Sequence, residues 1–310
     1  MPIVIREINH LYKHMQKYAV IGYPLTHSLS PQIHNFAFEK LNIAAAYEKI
    51  EIHPDDLANT IQRLKNSNYS GFNVTIPHKQ TVMNFLDKID DDAKEIGAVN
   101  TLVKKGSDWT GFNTDVIGFL TPLIDYKARV KRCLVMGTGG AARAVIYALS
   151  KYITPEKITI SGRNIKKAQD LSNEFSALFD KVNMNHQALK NVESILSFYD
   201  LIINTTPLGT YPEVTQSPLS NLTALTDNTI IYDLVYNPVR TKLWQDTEKT
   251  GKNIICINGL EMLIQQAAHA FKLWTNKDMP INDVRNYLST ILKPSPPHPA
   301  NPFPSSAQKP

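Results

Sequence analysis

A glycine-rich turn between an apolar segment and a helical pattern constrains the fold of this chain more than any other feature. The segment RCLVMG (132–137) is typical of a buried strand, and GGAARAVIYALSKY (139–152) is typical of a helix. Their junction reads G-x-G-x-x-A, at Gly137, Gly139 and Ala142. In that pattern the glycines allow a tight turn and a close approach of the backbone to a pyrophosphate, and the small third residue allows close packing of the helix on the strand. Because a strand precedes it and another follows, the turn predicts a dinucleotide site.

The next strand, KITISG (157–162), indicates which dinucleotide is expected. Sites for NAD usually carry Asp or Glu at the end of that strand, where it binds the ribose 2′-hydroxyl. This chain instead has Arg163, followed by Lys166 and Lys167. A guanidinium suits a 2′-phosphate, so the sequence favours NADP over NAD. The alternative is a solvated basic turn at the start of the next helix.

Strands and helices alternate along the chain in two successive sets. The first set has strands at YAVIG, AYEKIEI and GFNVT, separated by helices. A turn at Pro77 and helical material to about residue 95 follow, then a strand pair at AVNTLVKK and WTGFNTD and a helix at VIGFLTPLIDY (116–126). The second set starts at RCLVMG, and an amphipathic helix, GLEMLIQQAAHAFKLW, follows it. Two such sets predict an α/β protein with two open α/β domains and a cleft between them, the C-terminal domain being Rossmann-like and NADP-binding.

The predicted domains follow this order. Residues 1–126 and 259–293 form the domain that binds substrate and carries out catalysis, residues 127–258 form the NADP-binding domain, and residues 294–310 form a disordered tail rich in proline and serine. The first sixteen residues are either an additional helix or strand, or the result of a start site upstream of Met15.

Composition narrows the class of protein. The net charge of +5 suits small anionic ligands better than nucleic acid, because no stripe of Lys or Arg is present. No apolar run has the length of a membrane span, and the N-terminus lacks the pattern of a secretion signal. Cys133 and Cys256 lie in apolar runs, so we expect reduced core cysteines in a cytoplasmic protein. The histidines are scattered, and no metal site is predicted.

Short polar side chains follow several of the predicted strands. Ser28 and Ser30 precede a helix and could seat a carboxylate, although the simpler interpretation makes Ser30 an N-cap and Pro31 the first helical residue. Asp115 could likewise be only an N-cap. Taken together, these polar side chains suit the binding of a small polyhydroxylated acid. Besides Ser28, Ser30 and Asp115, they are Thr75, Lys79, Asn100, Thr101, Thr114, Tyr236 and Gln266.

Eight motifs, taken in order, resemble the shikimate dehydrogenase family. They are HSLSP, NVTIPHK, GAVNT, GFNTD, GTGGAARA, INTTPLG, DLVYNP and NGLEMLIQQAAHAF. No single motif is decisive, but the ordered set is specific. The resemblance implies an oxidoreductase that reduces 3-dehydroshikimate to shikimate with NADP(H), in the pathway to chorismate and aromatic amino acids.

The resemblance also implies which residues form the site. Ser28, Ser30 and Tyr236 would hold the substrate carboxylate, and Thr75, Asn100, Asp115 and Gln266 its ring oxygens. Cofactor contacts are implied for Gly137, Thr138, Gly139, Gly140, Ala141, Gly162, Arg163, Asn164, Lys167, Asp91, Leu234 and Gly259. One departure is that the usual Asn-Arg-Thr is here Gly-Arg-Asn, with Lys167 where another arginine is common. We therefore expect a less sharp preference for NADP.

Proton transfer is assigned by the resemblance to Lys79, with Asp115 as its partner. An ammonium beside a carboxylate can donate a hydrogen bond, and then a proton, to a carbonyl oxygen, and in the reverse direction the amine accepts the proton. The neighbouring His78 is expected to point elsewhere, as a turn or surface residue.

Several alternatives stay open at this stage. A quinate/shikimate dehydrogenase using NAD shares the pattern, although no acidic residue follows KITISG. A shikimate-dehydrogenase-like paralogue could act on another small metabolite. A ligand sensor would not need Lys79 and Asp115, and a folate-linked dehydrogenase would leave Ser28 and Ser30 unexplained. The partner expected is a small molecule, with no nucleic acid and no membrane, and a homodimer is one alternative for the oligomeric state.

Overall fold

The computed structural model describes residues 15–292 and contains two six-stranded sheets. The predictions for the tail and for residues 1–14 lie outside this range. The strands are β1 (Gln16–Gly22), β2 (Ala45–Glu51), β3 (Tyr69–Val74), β4 (Lys88–Ile89), β5 (Thr101–Lys105), β6 (Asp108–Phe112), β7 (Arg132–Met136), β8 (Lys157–Gly162), β9 (Asn183–Ala188), β10 (Leu201–Asn204), β11 (Ile230–Asp233) and β12 (Ile255–Asn258).

Helices separate most of these strands. The α-helices are α1 (Ser30–Lys40), α2 (Leu57–Lys65), α3 (Asp91–Ile96), α4 (Asp115–Leu120), α5 (Gly140–Ala148), α6 (Ile165–Leu178), α7 (Leu189–Val192), α8 (Lys242–Glu248), α9 (Gly259–Thr275) and α10 (Ile281–Ile291). Short 3₁₀ helices cover Pro54–Asp56, Thr81–Phe85, Thr121–Arg129 and Glu193–Phe198, and a π-helix covers Leu149–Ile153.

The first sheet is mixed, with the strand order β2-β1-β3-β5-β6-β4. Strands β1, β2 and β3 are parallel, whereas β5 runs antiparallel to both β3 and β6, as the predicted strand pair requires. The short strand β4 joins the edge of the sheet beside β6. Helix was predicted in that region, and the actual order is a 3₁₀ helix, a two-residue strand and then α3.

The second sheet is entirely parallel, with the strand order β12-β11-β10-β7-β8-β9. The chain order reverses at β7, whose neighbours are β8 and β10. Ligands of open α/β sheets bind outside the carboxyl ends of the strands at such a reversal, and the glycine-rich turn leaves β7 there. The prediction of a two-domain α/β fold with a Rossmann-like C-terminal half is confirmed.

A few elements carried no sequence signal that we recognised. Strand β9 lies at a sheet edge and has no fully buried residue, so its sequence, NMNHQA, lacks the alternation of a half-buried strand. Helices α8 and α10 were also not predicted. The helix predicted over 116–126 changes to 3₁₀ geometry at Thr121, next to Pro122, which has no N–H to donate.

Apolar residues of α4 and α9 join the first half of the chain to the core of the second sheet. Val116 and Phe119 of α4 pack in the same cluster as Val135 of β7 and Ile203 of β10. Helix α9 belongs to both cores, since Met262 at its start joins that cluster and residues further along pack on the first sheet. The domain boundaries at 126/127 and 258/259 stay predictions.

Polar contacts also fix helix α5, which begins at the glycine-rich turn, against helix α3. The buried Arg143 donates from Nε to the carbonyl oxygen of Ile96 at 2.5 Å, and its guanidinium pairs with Glu174 of α6. One turn later, the Tyr147 hydroxyl lies 2.9 Å from Oε2 of Glu95. Both contacts reach α3 or its last carbonyl, so the position of α3 relative to the turn is held at two points.

Among residues 15–292 we found no helix with the length and apolar character needed to traverse a membrane. Both cysteines are free: Cys133 is buried in β7, and Cys256 is half-buried in β12. Burial raises the pKa of the Cys256 thiol to about 11, so it is a poor nucleophile near neutral pH.

The buried histidine of α1 predicts a measurable loss of stability in acid. His34 is fully buried, stacks on Tyr47 at 4.4 Å between ring centroids, and finds no hydrogen-bond partner for either ring nitrogen in the described part of the chain. Burial lowers its pKa from 6.5 to about 3. Between these values the unfolded chain binds a proton that the folded chain does not, so stability falls as pH falls.

Replacing His34 with Met, which is similar in volume and apolar, removes this dependence. At about pH 4.5 the wild type should have lost about 2 to 3 kcal/mol more of its pH 7 stability than His34→Met, because each pKa unit corresponds to about 1.4 kcal/mol. Urea unfolding of both proteins between pH 7 and 4.5 measures the difference. Parallel stability curves would contradict the burial of a neutral histidine.

Candidate active site

The centre of the site is a nearly buried ion pair between two residues of the first predicted domain. Nζ of Lys79, on the loop after β3, lies 2.5 Å from Oδ2 of Asp115, the first residue of α4. The side chains are 14% and 6% exposed, so the pair is largely shielded from water. Asp115 is not the N-cap of α4, since Thr114 holds that position and the carboxylate points to Lys79.

An amide holds the other oxygen of that carboxylate. Nδ2 of the buried Asn100 donates to Oδ1 of Asp115 at 2.8 Å. The amide is itself oriented by the backbone N–H of Thr114, which donates to Oδ1 of Asn100 at 2.8 Å. The carboxylate therefore has both oxygens paired, and the ammonium of Lys79 is held in one place.

His78 has a structural role: of the two expectations for it, a turn or a surface residue, the second was wrong. It is only 1% exposed, and its Nε2 lies 2.7 Å from the carbonyl oxygen of Ile52. The ring thus joins the loop after β3 to the end of β2, while the next residue, Lys79, turns to Asp115. Consecutive side chains leave an extended loop in different directions.

Two serines and a tyrosine meet at the start of α1. Oγ of Ser28 lies 3.3 Å from Oγ of Ser30. Ser30 is the first helical residue, with Leu29 as the N-cap, and it makes no capping bond, so its interpretation as the N-cap was wrong. The backbone N–H of Leu29 faces the hydroxyl of Tyr236 and partly offsets the rise that burial causes in its pKa. The three hydroxyls form one polar patch beside a helix N-terminus.

The other two residues expected at the substrate lie at the edges of this region. Thr75 is half-buried directly after β3, and its backbone N–H pairs with Ile21. Gln266 is half-buried on α9 against Gly118, and its Nε2 donates to the carbonyl of Leu263 at 2.7 Å. Gln266 is thus bonded within its own helix in this structure.

The glycine-rich turn has the geometry that a pyrophosphate requires. Gly137 has φ of 126°, and a Cβ atom there would collide with the Thr205 hydroxyl. Gly139 is the N-cap of α5, and a Cβ on it would meet no atom within 4 Å. There is therefore open space in front of the free N–H groups of the helix, which fits a phosphate group.

The turn also contacts the catalytic lysine. A Cβ atom on Gly140 would lie 3.0 Å from Cβ and 3.1 Å from Cδ of Lys79. The aliphatic part of the lysine therefore packs directly on the backbone at the start of α5. This contact brings the ion pair and the dinucleotide turn into one site.

The loop after β8 carries basic side chains beside that turn. Gly162 lies against Thr138, since a Cβ on Gly162 would be 3.4 Å from Cγ2 of Thr138. Arg163 is exposed and forms no salt bridge within residues 15–292. Asn164 caps α6 by accepting a bond from the N–H of Lys167 at 3.2 Å. An exposed guanidinium on the loop next to the turn, with no acidic partner within residues 15–292, fits the 2′-phosphate of NADP.

The remaining cofactor candidates lie in three places. A Cβ on Gly259 would collide with the carbonyl of Leu234, so these two residues touch where β11 and β12 end. Ala141 is half-buried in the first turn of α5. Asp91 is exposed at the start of α3, the helix that α5 holds.

One buried carboxylate was missed by the sequence analysis. Asp233, at the end of β11, accepts bonds from Asn204 at 2.9 Å, from the N–H of Val235 at 3.1 Å and from Thr241 at 2.7 Å. Burial raises its pKa to about 6. It fixes the segment that carries Leu234 and Tyr236. Its signal was present, since an acidic residue ends the apolar run TIIYD, but it resembles an ordinary strand end.

Family models match most of the described chain. Residues 20–102 match the shikimate dehydrogenase substrate binding domain, residues 123–238 match shikimate / quinate 5-dehydrogenase, and residues 259–286 match the shikimate 5′-dehydrogenase C-terminal domain. Within the described residues, no group of three or more His, Cys, Asp or Glu side chains is arranged to hold a metal ion.

Individual relatives match over nearly their whole length. The shikimate dehydrogenase (NADP(+)) of Alkaliphilus oremlandii is 41% identical over 275 residues, which are 87% of this chain and 95% of that protein. The shikimate dehydrogenase (NADP(+)) of Shouchella clausii is 40% identical over 266 residues, 84% of this chain and 94% of that protein.

Solved structures agree with these sequence matches. A crystal structure of a shikimate dehydrogenase in complex with NADP+ has a TM-score of 0.82 and 35% identity, over 91% of this chain and 97% of that one. The shikimate 5-dehydrogenase of Thermus thermophilus, in complex with NADP(H) and shikimate, has a TM-score of 0.77 and 31% identity, over 89% and 99%. On its matched family models, its relatives and its fold, this chain belongs to the shikimate dehydrogenase family.

Proposed function

We propose that this chain catalyses the reversible NADPH-dependent reduction of 3-dehydroshikimate to shikimate, in the pathway to chorismate and the aromatic amino acids. The observation that carries the proposal is the position of the Lys79–Asp115 pair, which packs on Gly140 at the dinucleotide turn. A proton donor beside a dinucleotide site is what carbonyl reduction needs. The names of the relatives identify the carbonyl compound and the cofactor.

Each polar group has a proposed role in holding the substrate. Ser28, Ser30 and Tyr236 bind its carboxylate, because their hydroxyls converge beside the N-terminus of α1. Thr75, Asn100, Asp115 and Gln266 bind its ring oxygens. Gln266 must first leave its bond to Leu263, which is a side-chain rotation.

Lys79 acts as the proton donor in reduction and as the acceptor in oxidation. Its ammonium donates a hydrogen bond to the carbonyl oxygen, which develops negative charge in the transition state, and then gives up a proton. Asp115 keeps the lysine in position through the ion pair. Lys79 is 14% exposed, so it can regain a proton from water after each turnover.

The residues present fit NADP(H). Gly137, Thr138, Gly139, Gly140 and Ala141 would hold the pyrophosphate, and Gly162, Arg163, Asn164 and Lys167 would hold the 2′-phosphate. Leu234 and Gly259 would lie towards the nicotinamide, and Asp91 would contact the cofactor from α3. When bound, NADPH supplies the hydride that the carbonyl carbon receives.

A kinetic panel tests the function and its nearest alternative together. Purified protein is given shikimate or quinate with NADP+ or NAD+, and reduced nicotinamide is followed by its absorbance. We expect the highest kcat/KM for shikimate with NADP+. A preference for quinate with NAD+ would support the quinate/shikimate alternative, and no turnover of either acid would reject the proposal.

Two finer statements are also proposals. A homodimer is one form that the protein could take in solution, and light scattering coupled to size-exclusion chromatography tests it. A cytoplasmic location is proposed from the two free cysteines.

A further inference from the structure

A chain of hydrogen bonds runs through the interior of the first sheet and ends on Asp115. The Tyr47 hydroxyl donates to Oδ1 of Asn73 at 2.7 Å, and Nδ2 of Asn73 donates to Oγ1 of Thr101 at 3.1 Å. The Thr101 hydroxyl donates to Oδ1 of Asn100 at 2.9 Å, and Nδ2 of Asn100 donates to Asp115 at 2.8 Å. All five residues are buried. The sequence analysis did not single out Tyr47 or Asn73.

The direction of these bonds is fixed by backbone groups. Nδ2 of Asn73 also donates to the carbonyl oxygen of Asn100 at 3.3 Å, and the backbone N–H of Thr114 donates to Oδ1 of Asn100. Neither amide can therefore be turned over without losing a bond. Since Tyr47 and Thr101 each face an amide oxygen, each must be the donor there. Every proton in this series of hydrogen bonds therefore points along the series towards the carboxylate of Asp115.

Tyr47, the first residue of this series of hydrogen bonds, lies beside the proposed binding site for the substrate carboxylate. The Ser30 hydroxyl is beside that of Tyr47, where it partly offsets the rise that burial causes in the pKa of Tyr47. Tyr47 gives its only proton to Asn73, so in a hydrogen bond with Ser30 its oxygen would be the acceptor. Two residues proposed to touch substrate, Ser30 and Asp115, are thus linked through Tyr47, Asn73, Thr101 and Asn100, of which only Asn100 has a proposed contact to it.

We infer that Tyr47 is a positioning residue for the proposed reaction. Its hydroxyl holds the Asn73 amide, and the bonds that follow transmit this constraint to the carboxylate that positions Lys79. Hydrogen bonds in series orient and polarise one another, and a buried acceptor without a donor is costly. The inference deepens the proposed function and rests on it, because a misplaced carboxylate matters only if Lys79 transfers the proton.

Tyr47→Phe tests the inference with little change of shape. The ring that stacks on His34 is kept, but Oδ1 of Asn73 loses the hydrogen bond that the Tyr47 hydroxyl donates to it. We expect kcat for shikimate oxidation to fall about five- to tenfold, the effect of one buried hydrogen bond. The KM values for shikimate and NADP+ should change by less than about threefold, because no proposed substrate contact is removed.

A second variant tests whether the effect of Tyr47→Phe is transmitted through the series of hydrogen bonds. Thr101→Val breaks the same series further on, at nearly constant volume, and should lower kcat by a similar factor. The double variant should lose no more than about twofold beyond the larger single effect, since the same chain is already broken. Tyr199→Phe is the matched control: Tyr199 is equally buried but lies in the core of the second sheet, and its kcat should stay within about twofold of wild type.

Three results would overturn the inference. The first is a kcat for Tyr47→Phe within twofold of wild type. The second is a pair of losses that multiply in the double variant. The third is a rise in both KM values with a lower melting temperature, which a merely structural role would produce. An inactive wild-type protein would reject the proposed function and the inference together, whereas an active wild type with an unaffected variant would reject the inference alone.

Discussion

Replacing Lys79 with Met is expected to lower kcat for shikimate oxidation by about a thousandfold, while KM for NADP+ stays within about threefold of the wild-type value. General acid–base groups contribute about 10² to 10⁴ in rate, and the ammonium also stabilises charge on the substrate oxygen. Methionine keeps most of the apolar stem that packs on Gly140 and lacks only the charged end. Steady-state kinetics in both directions, with cofactor binding followed by fluorescence titration, measures the two effects separately.

A melting curve and a control variant distinguish the loss of the proton donor from a loss of folded structure. Lys79→Met leaves Oδ2 of Asp115 without its partner, so a melting curve must accompany the kinetics. Lys277→Met is the matched control, because Lys277 is exposed just beyond the far end of α9, about 25 Å along the helix axis from Gly259. A folded Lys79→Met variant with near-normal kcat would show that Lys79 is not the proton donor, and another group would then have to transfer the proton.

The positions of the site residues along the chain could be predicted because each depends on a local pattern. The strand before Gly137, the helix after it and the end of β8 at Gly162 all follow from short apolar runs with glycine or proline beside them. Lys79 lies on the loop after β3, as expected from the buried run GFNVT. These features are set by neighbours within a few residues, so periodicity is enough to locate them.

Contacts between residues that are distant in the sequence could not be predicted from local patterns. Tyr47 and Asn73 are 26 positions apart, and Arg143 meets Ile96 over 47 positions. Nothing in a polar residue within a buried strand indicates its partner, since the partner depends on how strands and helices are arranged in space. The same limit explains His78. Its turn was expected, but its burial depends on the end of β2, which packs over it only in the folded chain.

Replacing Arg163 with Asp is expected to lower the ratio of kcat/KM for NADP+ to that for NAD+ by about a hundredfold or more. Arg163 is exposed beside the turn and has no acidic partner within residues 15–292, so its guanidinium is available for a 2′-phosphate. Each hydrogen bond between charged groups contributes about 1.5 to 3 kcal/mol, and 1.4 kcal/mol corresponds to a factor of ten. The introduced carboxylate would add repulsion of the phosphate and could accept a bond from the ribose 2′-hydroxyl of NAD.

The same change of charge at another position separates this contact from a general electrostatic effect. Lys181→Asp alters an exposed residue just before β9, at the amino end of the parallel strands, whereas Arg163 follows the carboxyl end of β8. The two positions are separated by about the length of a strand, roughly 20 Å, which is about twice the screening length at physiological salt. Lys181→Asp should therefore leave the cofactor ratio within about threefold of wild type.

If both variants changed the ratio equally, the preference would come from the overall charge of the domain, and Arg163 would be an ordinary surface residue. If only Arg163→Asp changes it, the single guanidinium after β8 selects the cofactor, even though the flanking residues differ from the usual pattern of the family.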